Sequence, residues 1–363
     1  MARIDSFLKL GLAQGCSDVH LAVGVPPMLR MHGDLMPIKF RELGDTELES
    51  YVTEILTKKQ NDQFSNNEDI DFSYVSEDGG RFRVNIFRKA TGIGATFRFI
   101  PQTIPTLDDL QLPGILATLC DHHQGMILVT GSTGTGKSTT LAAMIDHINR
   151  TRNLNIISLE DPIEFVHESQ RSQIIQRELG THLPSFSEGI RAALREDPDI
   201  ILVGEMRDAE TISMAMTAAE TGHLVLGTLH TTGAAKTIDR MIDALPGEMR
   251  EQTKSFLGQG LNAVVTQTLI KTPDGKGRRA ALEIMVMTRA IAKMISTDQS
   301  HLIPAQLQTG RDLGMQTMDF ALLEGIKAKQ LDPDDAYRFA TDKKSFQKYV
   351  TDTSMLPQLD LTT

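Results

Sequence analysis

The sequence predicts an α/β protein, with a small α+β unit followed by a larger domain built on a mostly parallel sheet. Three observations carry that reading. From about residue 113 onward, apolar strands and amphipathic helices alternate, as they do when a parallel sheet is covered on both faces. A glycine-rich stretch, "GSTGTGKST" at 131–139, sits between one such strand and the helix after it. The first hundred residues instead set strands about short turns, with one helical stretch between them.

Taken in order, Ile4, Phe7, Leu8 and Gly11 have helical spacing and predict an amphipathic packing helix. "SDVHLAVG" and "PMLRMHGDLMPI" read as two strands about Pro26 and Pro27. "TELESYVTEILTKKQNDQF" has a helical pattern, and "RFRVNIFRK" with "GIGATFRFI" reads as a hairpin whose arginines alternate with apolar residues. These elements make one domain over 1–100. "PQTIPTLDDLQLPG" carries three prolines and no apolar period, which predicts a linker over 101–112.

The second domain spans 113–345. Its strands are "GMILVTG", "LNIISLEDP", "DIILVGE" and "HLVLGTLH". Its helices fall at 137–149 and in "SFSEGIRAALRED", "AETISMAMTAAETG" and "AAKTIDRMIDAL". Ser185 and Glu188 have capping-box spacing, and Gly222 supplies a helix stop. "TPDGKGRR" is a turn between two apolar segments, and 346–363 reads as a flexible polar tail.

The totals narrow the function. The chain has 363 residues, 40% of them hydrophobic and 23% charged, as in a soluble globular protein. A formal charge of −10, no tryptophan and 5% aromatic residues speak against a nucleic-acid coat or a base-stacking platform. Cys16 and Cys120 cannot build a disulfide framework or a four-cysteine zinc site. The N-terminus lacks the apolar core of a secretory leader, and nowhere do 18 apolar residues run together. A cytoplasmic protein is expected.

The glycine-rich stretch matches G-x-x-x-x-G-K-[ST]. Its glycines, Gly131, Gly134 and Gly136, let backbone N–H groups turn inward around a phosphate. Ser132, Thr133 and Thr135 fill the turn, and Thr139 follows on the helix. Lys137 reaches the outer phosphates, the Ser138 hydroxyl ligates Mg²⁺, and the helix N-terminus faces the negative charge. ATP and Mg²⁺ are thus the expected ligands. "SLEDPIEF" and "IILVGE" each end an apolar strand in acids, and in a parallel sheet such ends meet at the ligand crevice. A lone acid there is ordinarily a solvated carboxylate. Beside a phosphate loop, Glu160 and Glu205 become candidates to orient or deprotonate a water. His230 ends a further strand and His223 starts it; spacing alone leaves His230 between a satisfied polar residue and a γ-phosphate sensor.

At this point the chain resembles a known family. "GSTGTGKST", "SLEDPIEFVHES", "ALREDPDIILVGEMRD" and "AAETGHLVLGTLHTT" look like the Walker A, Asp, Walker B and His boxes of the secretion ATPases, in family order. The nearest resemblance is to the retraction ATPases of type IV pili, and it runs from "GCSDVHLAVGVPPMLRMHGD" to "LGMQTMDFALLEGI". It implies a PAS-like N-terminal domain, a RecA-like C-terminal domain and a homo-hexameric ring. The ring would hydrolyse ATP to retract pili for twitching motility, working on an inner-membrane platform protein, with a paralogous retraction ATPase as a further partner and no specific nucleic acid. Glu160 is implied as the acid acting on the attacking water and Glu205 as the Mg²⁺-linked Walker B acid. His223 and His230 match the His box. Arg83 and Arg98 match N-domain arginines that reach the phosphates at a domain or subunit junction. Family members also carry glycine before the Walker B glutamate, as Gly204 does here. "RAIAKMIST" replaces an "AIRNLI" stretch of the main motor, and "TPDGKGRRA" looks more like its accessory paralogue. The alternatives are thus an accessory retraction ATPase or, further off, a ring-shaped nucleic-acid translocase.

Overall fold

The computed structural model describes residues 2–31, 34–78, 80–101 and 103–356. His32 and Gly33 of the second expected strand, Gln102 of the expected linker and 357–363 of the expected tail lie outside the described residues. The chain divides into two compact units. The first is Met1–Thr103 with Pro162–Val166, and the second is Ile104–Asp161 with His167–Thr363.

The first unit holds helices α1 (Asp5–Gln14), α2 (Asp45–Thr53) and α3 (Lys58–Ser65). Its strands are β1 (Asp18–Ala22), β2 (Met28–Met31), β3 (Asp34–Pro37), β4 (Ile70–Val75), β5 (Arg81–Lys89) and β6 (Gly92–Ile100). They form an antiparallel sheet in the order β3-β2-β1-β6-β5-β4. Alternation sends Phe82, Val84, Ile86 and Phe97 into a core with Ile4 and Leu8 of the first helical turn. Two expectations change here. "PMLRMHGDLMPI" is two paired strands, with Met31 opposite Asp34. The single helix expected over 46–64 is two, because Thr57 caps α3. Its hydroxyl accepts from Gln60 N–H at 3.3 Å while Gln60 Oε1 accepts from Thr57 N–H at 2.9 Å.

The second unit is built on seven strands in the order β13-β12-β7-β11-β10-β8-β9. These are β7 (Gly125–Thr130), β8 (Asn155–Glu160), β9 (Gln173–Glu178), β10 (Ile200–Val203), β11 (Leu224–Leu229), β12 (Leu261–Lys271) and β13 (Arg278–Val286). All pairings are parallel except β12 with β13, the hairpin closed by the "TPDGKGRR" turn. One sheet face packs on α4 (Ile115–Leu119) and α5 (Lys137–Thr151). The other packs on α6 (Phe186–Ala193), α7 (Ala209–Glu220), α8 (Ala234–Asp243), α9 (Arg250–Gly260), α10 (Arg289–Ser296) and α11 (Ile303–Thr309). Strand residues alternate between the two cores. Ile127 and Val129 face α5, whereas Met126 and Leu128 face the opposite layer. Ser185 caps α6 by accepting from Glu188 N–H at 3.2 Å, and Asp208 caps α7 by accepting from Thr211 N–H at 2.8 Å.

The ends of this unit are better held than the sequence predicts. Residues 104–112 belong to it, with Leu107 and Leu112 buried and Thr106 and Asp109 hydrogen-bonded to each other. The C-terminal stretch also docks. Around α12 (Met318–Lys327), α13 (Pro333–Phe339) and α14 (Lys343–Phe346), Phe346 is fully buried, and Tyr349, Val350 and Leu356 pack on the same cluster. Asp334 accepts from Thr351 N–H at 2.7 Å. Apolar residues spaced irregularly among polar ones hid this from a periodicity reading.

Candidate nucleotide site

The phosphate loop runs from Gly131 to Gly136, between β7 and α5. Gly131, Gly134 and Gly136 have φ of 142°, 79° and 85°. At Gly131 a side chain is doubly excluded, since a Cβ would also run into the Gln267 carbonyl oxygen. Ser132, Thr133 and Gly134 form the exposed turn, and Thr135 Oγ1 donates to Ser132 O at 2.9 Å. Lys137 is buried, with Nζ donating to Gly131 O at 2.9 Å and Ser132 O at 3.0 Å. Ser138 stands at the start of α5.

Gln267 of β12 braces the loop, a role the sequence reading missed. Its Nε2 donates to Thr135 O at 2.7 Å, and its Oε1 accepts from Thr140 Oγ1 at 2.7 Å. The two partners fix the amide orientation, because Thr135 O can only accept. Beside the loop lies a cleft of about 860 Å³, lined by Gly136, Thr139, Leu110, Leu269, Lys271 and Arg279, among others. Arg279 donates to Gln111 at its rim. Sidedness and volume suit a base and ribose joined to phosphates held in the loop.

The strand mouths bring the expected acids together in a defined order. From β7 outward come β11, ending before His230, then β10, ending before Glu205, then β8, ending in Glu160. At a strand spacing of about 4.8 Å, the β10 backbone stands about 10 Å from the loop strand and the β8 backbone about 14 Å. Glu205 accepts a bidentate pair from Arg207, Nε and Nη2 each at 2.6 Å. His230 Nε2 lies 2.8 Å from Glu205 Oε1. Burial pushes the Glu205 carboxyl up, but Arg207 and His230 outweigh it and hold the group below the usual carboxylate range. An ionised carboxylate can only accept, so His230 Nε2 carries the proton.

Gly204 explains why this Walker B strand has no aspartate before its glutamate. A Cβ there would lie 3.0 Å from Leu159 O and 3.2 Å from Glu160 Cα, both backbone atoms of β8. Gly204 N–H donates to Leu159 O at 2.7 Å, and Gly204 O accepts from Thr228 Oγ1 at 2.5 Å. The strand tips touch at this point, and any side chain would press them apart by a few tenths of an ångström.

His223 is not brought to the loop within one chain. It sits before the first residue of β11, and its carbonyl accepts from Gly125 N–H at the start of β7, the far end of the sheet. Its ring closes α7, with Nδ1 2.9 Å from Ala218 O. In the first unit, Arg83 and Arg98 lie opposite each other on β5 and β6. Arg83 pairs with Asp71 at 2.8 Å and Arg98 with Asp18 at 2.9 Å. The carboxylates hold two like charges side by side on one face of the sheet. No helix among the described residues is long and apolar enough to cross a membrane.

Comparison with known proteins agrees with this architecture. Residues 75–331 match the family model described as "Type II/IV secretion system protein". The chain is 48% identical over 328 residues to the "Type IV pilus retractation ATPase PilT" of Pseudomonas aeruginosa, covering 90% of this chain and 95% of that one. It is 37% identical over 336 residues to "Type IV pilus ATPase PilU" of the same organism, covering 93% and 88%. The crystal structure of "the Pilus Retraction Motor PilT and Bound ADP" superposes with a TM-score of 0.87 at 39% identity, covering 93% of this chain and 97% of that one. The phosphate loop, the ordered row of strand-mouth acids and these matches together place the chain in the type II/IV secretion system family, among the ATPases of type IV pilus retraction.

Proposed function

We propose that this chain is a PilT-type motor that hydrolyses ATP to retract pili, working as a homo-hexamer on an inner-membrane platform protein. The observation that carries the reading is the row of adjacent strand mouths, where the phosphate loop, His230, Glu205 and Glu160 follow one another in order. Loop N–H groups and Lys137 would cradle the phosphates of ATP. The open turn at Gly134, where a Cβ would meet nothing within 4 Å, fits a ligand approaching the backbone closely. When bound, Mg²⁺ neutralises charge on the outer phosphate oxygens; Ser138, and Glu205 through water, are the residues that would hold it. Both fit, since Ser138 lies in the first turn of α5 and Glu205 supplies a carboxylate just past β10, among the strand mouths that flank the loop. Glu160 takes a proton from the attacking water. His230 reports the state of Glu205 to β11, because its Nε2–H donates to that carboxylate.

The test is Glu160→Gln. It keeps the shape and loses the base, so turnover is expected to fall about 100-fold with ATP affinity retained. Wild-type turnover would remove Glu160 from the role. In cells, loss of the gene should leave pili that accumulate without retracting. Retraction that persists would favour the accessory reading suggested by the "TPDGKGRRA" turn.

Arg83 and Arg98 are assigned to charge developing on the transferred phosphoryl group. Arg83→Ala should lower kcat about 30-fold while nucleotide affinity stays within about two-fold. The loss is smaller than for a lone donor because Arg98 stands opposite and shares the role. Equal loss of both quantities, read by steady-state kinetics and titration of a fluorescent nucleotide, would point to ground-state binding instead.

A further inference from the structure

If Glu160 is the base, as proposed above, its carboxylate must be held in one orientation, and two residues outside the family boxes' catalytic assignments do this. β8 and β9 run parallel with Ser158 opposite Gln176. Residues two apart on a strand share a face, so Ser158, Glu160 and Gln176 project from the same side as the buried Ile156. Ser158 Oγ donates to Glu160 Oε1 at 2.7 Å, and Gln176 Nε2 donates to the same oxygen at 3.0 Å. The other end of the Gln176 amide is anchored as well, its Oε1 accepting from His167 N–H at 2.8 Å. A backbone N–H cannot accept, so the amide oxygen must face His167 and the NH₂ must face Glu160. Ser158 is 2% exposed, which keeps bulk water from competing for its hydroxyl.

The terminal torsion of a glutamate is broad and roughly two-fold, so an unrestrained carboxylate samples many orientations. Two donors on one oxygen remove that freedom, and because the sheet register sets both, the restraint costs little further ordering on binding. We propose that Gln176 and Ser158 are positioning residues for hydrolysis, holding the Glu160 carboxylate in the orientation that takes the proton of the attacking water. β9 thereby becomes part of the catalytic apparatus, although no nucleotide-contacting residue is assigned to it.

The experiment compares Gln176→Met, Ser158→Ala, Ser158→Thr and Gln176→Glu in the full chain, with Glu160→Gln as reference. It reads kcat for ATP and Kd for a fluorescent ATP analogue. Gln176→Met and Ser158→Ala should each lower kcat about 10-fold with Kd within about two-fold, as expected for losing one charge-assisted hydrogen bond that acts on catalysis. Ser158→Thr keeps the hydroxyl and should restore most of the turnover lost in Ser158→Ala. Gln176→Glu should be the most impaired, because two carboxylates at hydrogen-bond distance cannot both ionise. Should Gln176→Met fail to fold, Ser158→Ala interrogates the same oxygen from the other strand. Wild-type kcat in Gln176→Met and Ser158→Ala beside an inactive Glu160→Gln would overturn this inference alone. So would parallel loss of kcat and affinity, which marks a merely structural role. An active Glu160→Gln would instead overturn the assignment of the base itself.

Discussion

Lys137→Ala is expected to abolish ATP hydrolysis, with kcat falling about 1,000-fold, while the chain still folds. In the proposed role the ammonium group is the positive charge that the loop would place among the phosphates, and losing such a donor costs about 3–4 kcal/mol at the transition state. The side chain has a second role. Its Nζ ties Gly131 O and Ser132 O together from inside the loop, so truncation also releases the turn that shapes the cradle. Lys137→Arg separates the two roles. It keeps the charge, but a planar fork is a poor substitute for a point donor between two carbonyls, so it too should be inactive. Thermal stability should change little, because Gln267 still braces the loop through Thr135 and Thr140. Measured by phosphate release and by melting temperature, wild-type turnover in Lys137→Ala would refute a hydrolytic role for this loop.

The legible and illegible parts of this site differ in how far apart in sequence their partners lie. The phosphate loop could be read because nine consecutive residues carry it. The placement of Glu160, Glu205 and His230 could be read because each lies at the end of an apolar strand or just past it, and parallel topology collects strand ends at one edge. Gln267, 136 residues beyond Gly131, could not be read, since a lone glutamine in an apolar strand carries no local signal. β9 was missed for a related reason. "QIIQRE" has only two apolar residues and forms the sheet's last strand, where one side needs no partner. Gln176 and its bond to Glu160 went with it. Arg207 lies within the quoted Walker B box, yet nothing in its spacing told a surface arginine from one forked onto Glu205. His223 shows the reverse failure. The sequence already put it at the start of the strand that His230 ends, and that strand, about 20 Å long at 3.3 Å per residue, carries the two rings to opposite ends of the sheet; only the shared motif suggested a common role.

Restoring the acid that other ATP-hydrolysing folds carry before this glutamate should destroy activity here. In Gly204→Asp, the Cβ is forced to within 3.0 Å of Leu159 O and 3.2 Å of Glu160 Cα. The backbone cannot swing away, since Gly204 is tied to β8 through its N–H and to Thr228 of β11 through its carbonyl. Relief must come from parting the tips of β8 and β10, at a cost of about 1–3 kcal/mol for overpacking. In a unit of this size that lowers the melting temperature by roughly 5 °C. Parting the tips by a few tenths of an ångström shifts Glu160, which takes part of the roughly 100-fold loss that a full 1 Å misplacement of a reacting group costs. The new carboxylate adds a like charge beside Glu160 and Glu205, which disfavours the ionised state that both roles require. The combined loss of kcat should exceed about 100-fold. Gly204→Ala carries the same Cβ without the charge, so it should show the melting shift and a smaller kinetic loss; the difference between the two variants isolates the electrostatic part. Unchanged turnover in Gly204→Asp would mean that the β8 and β10 tips are not in the contact described, and the glycine would then need another explanation.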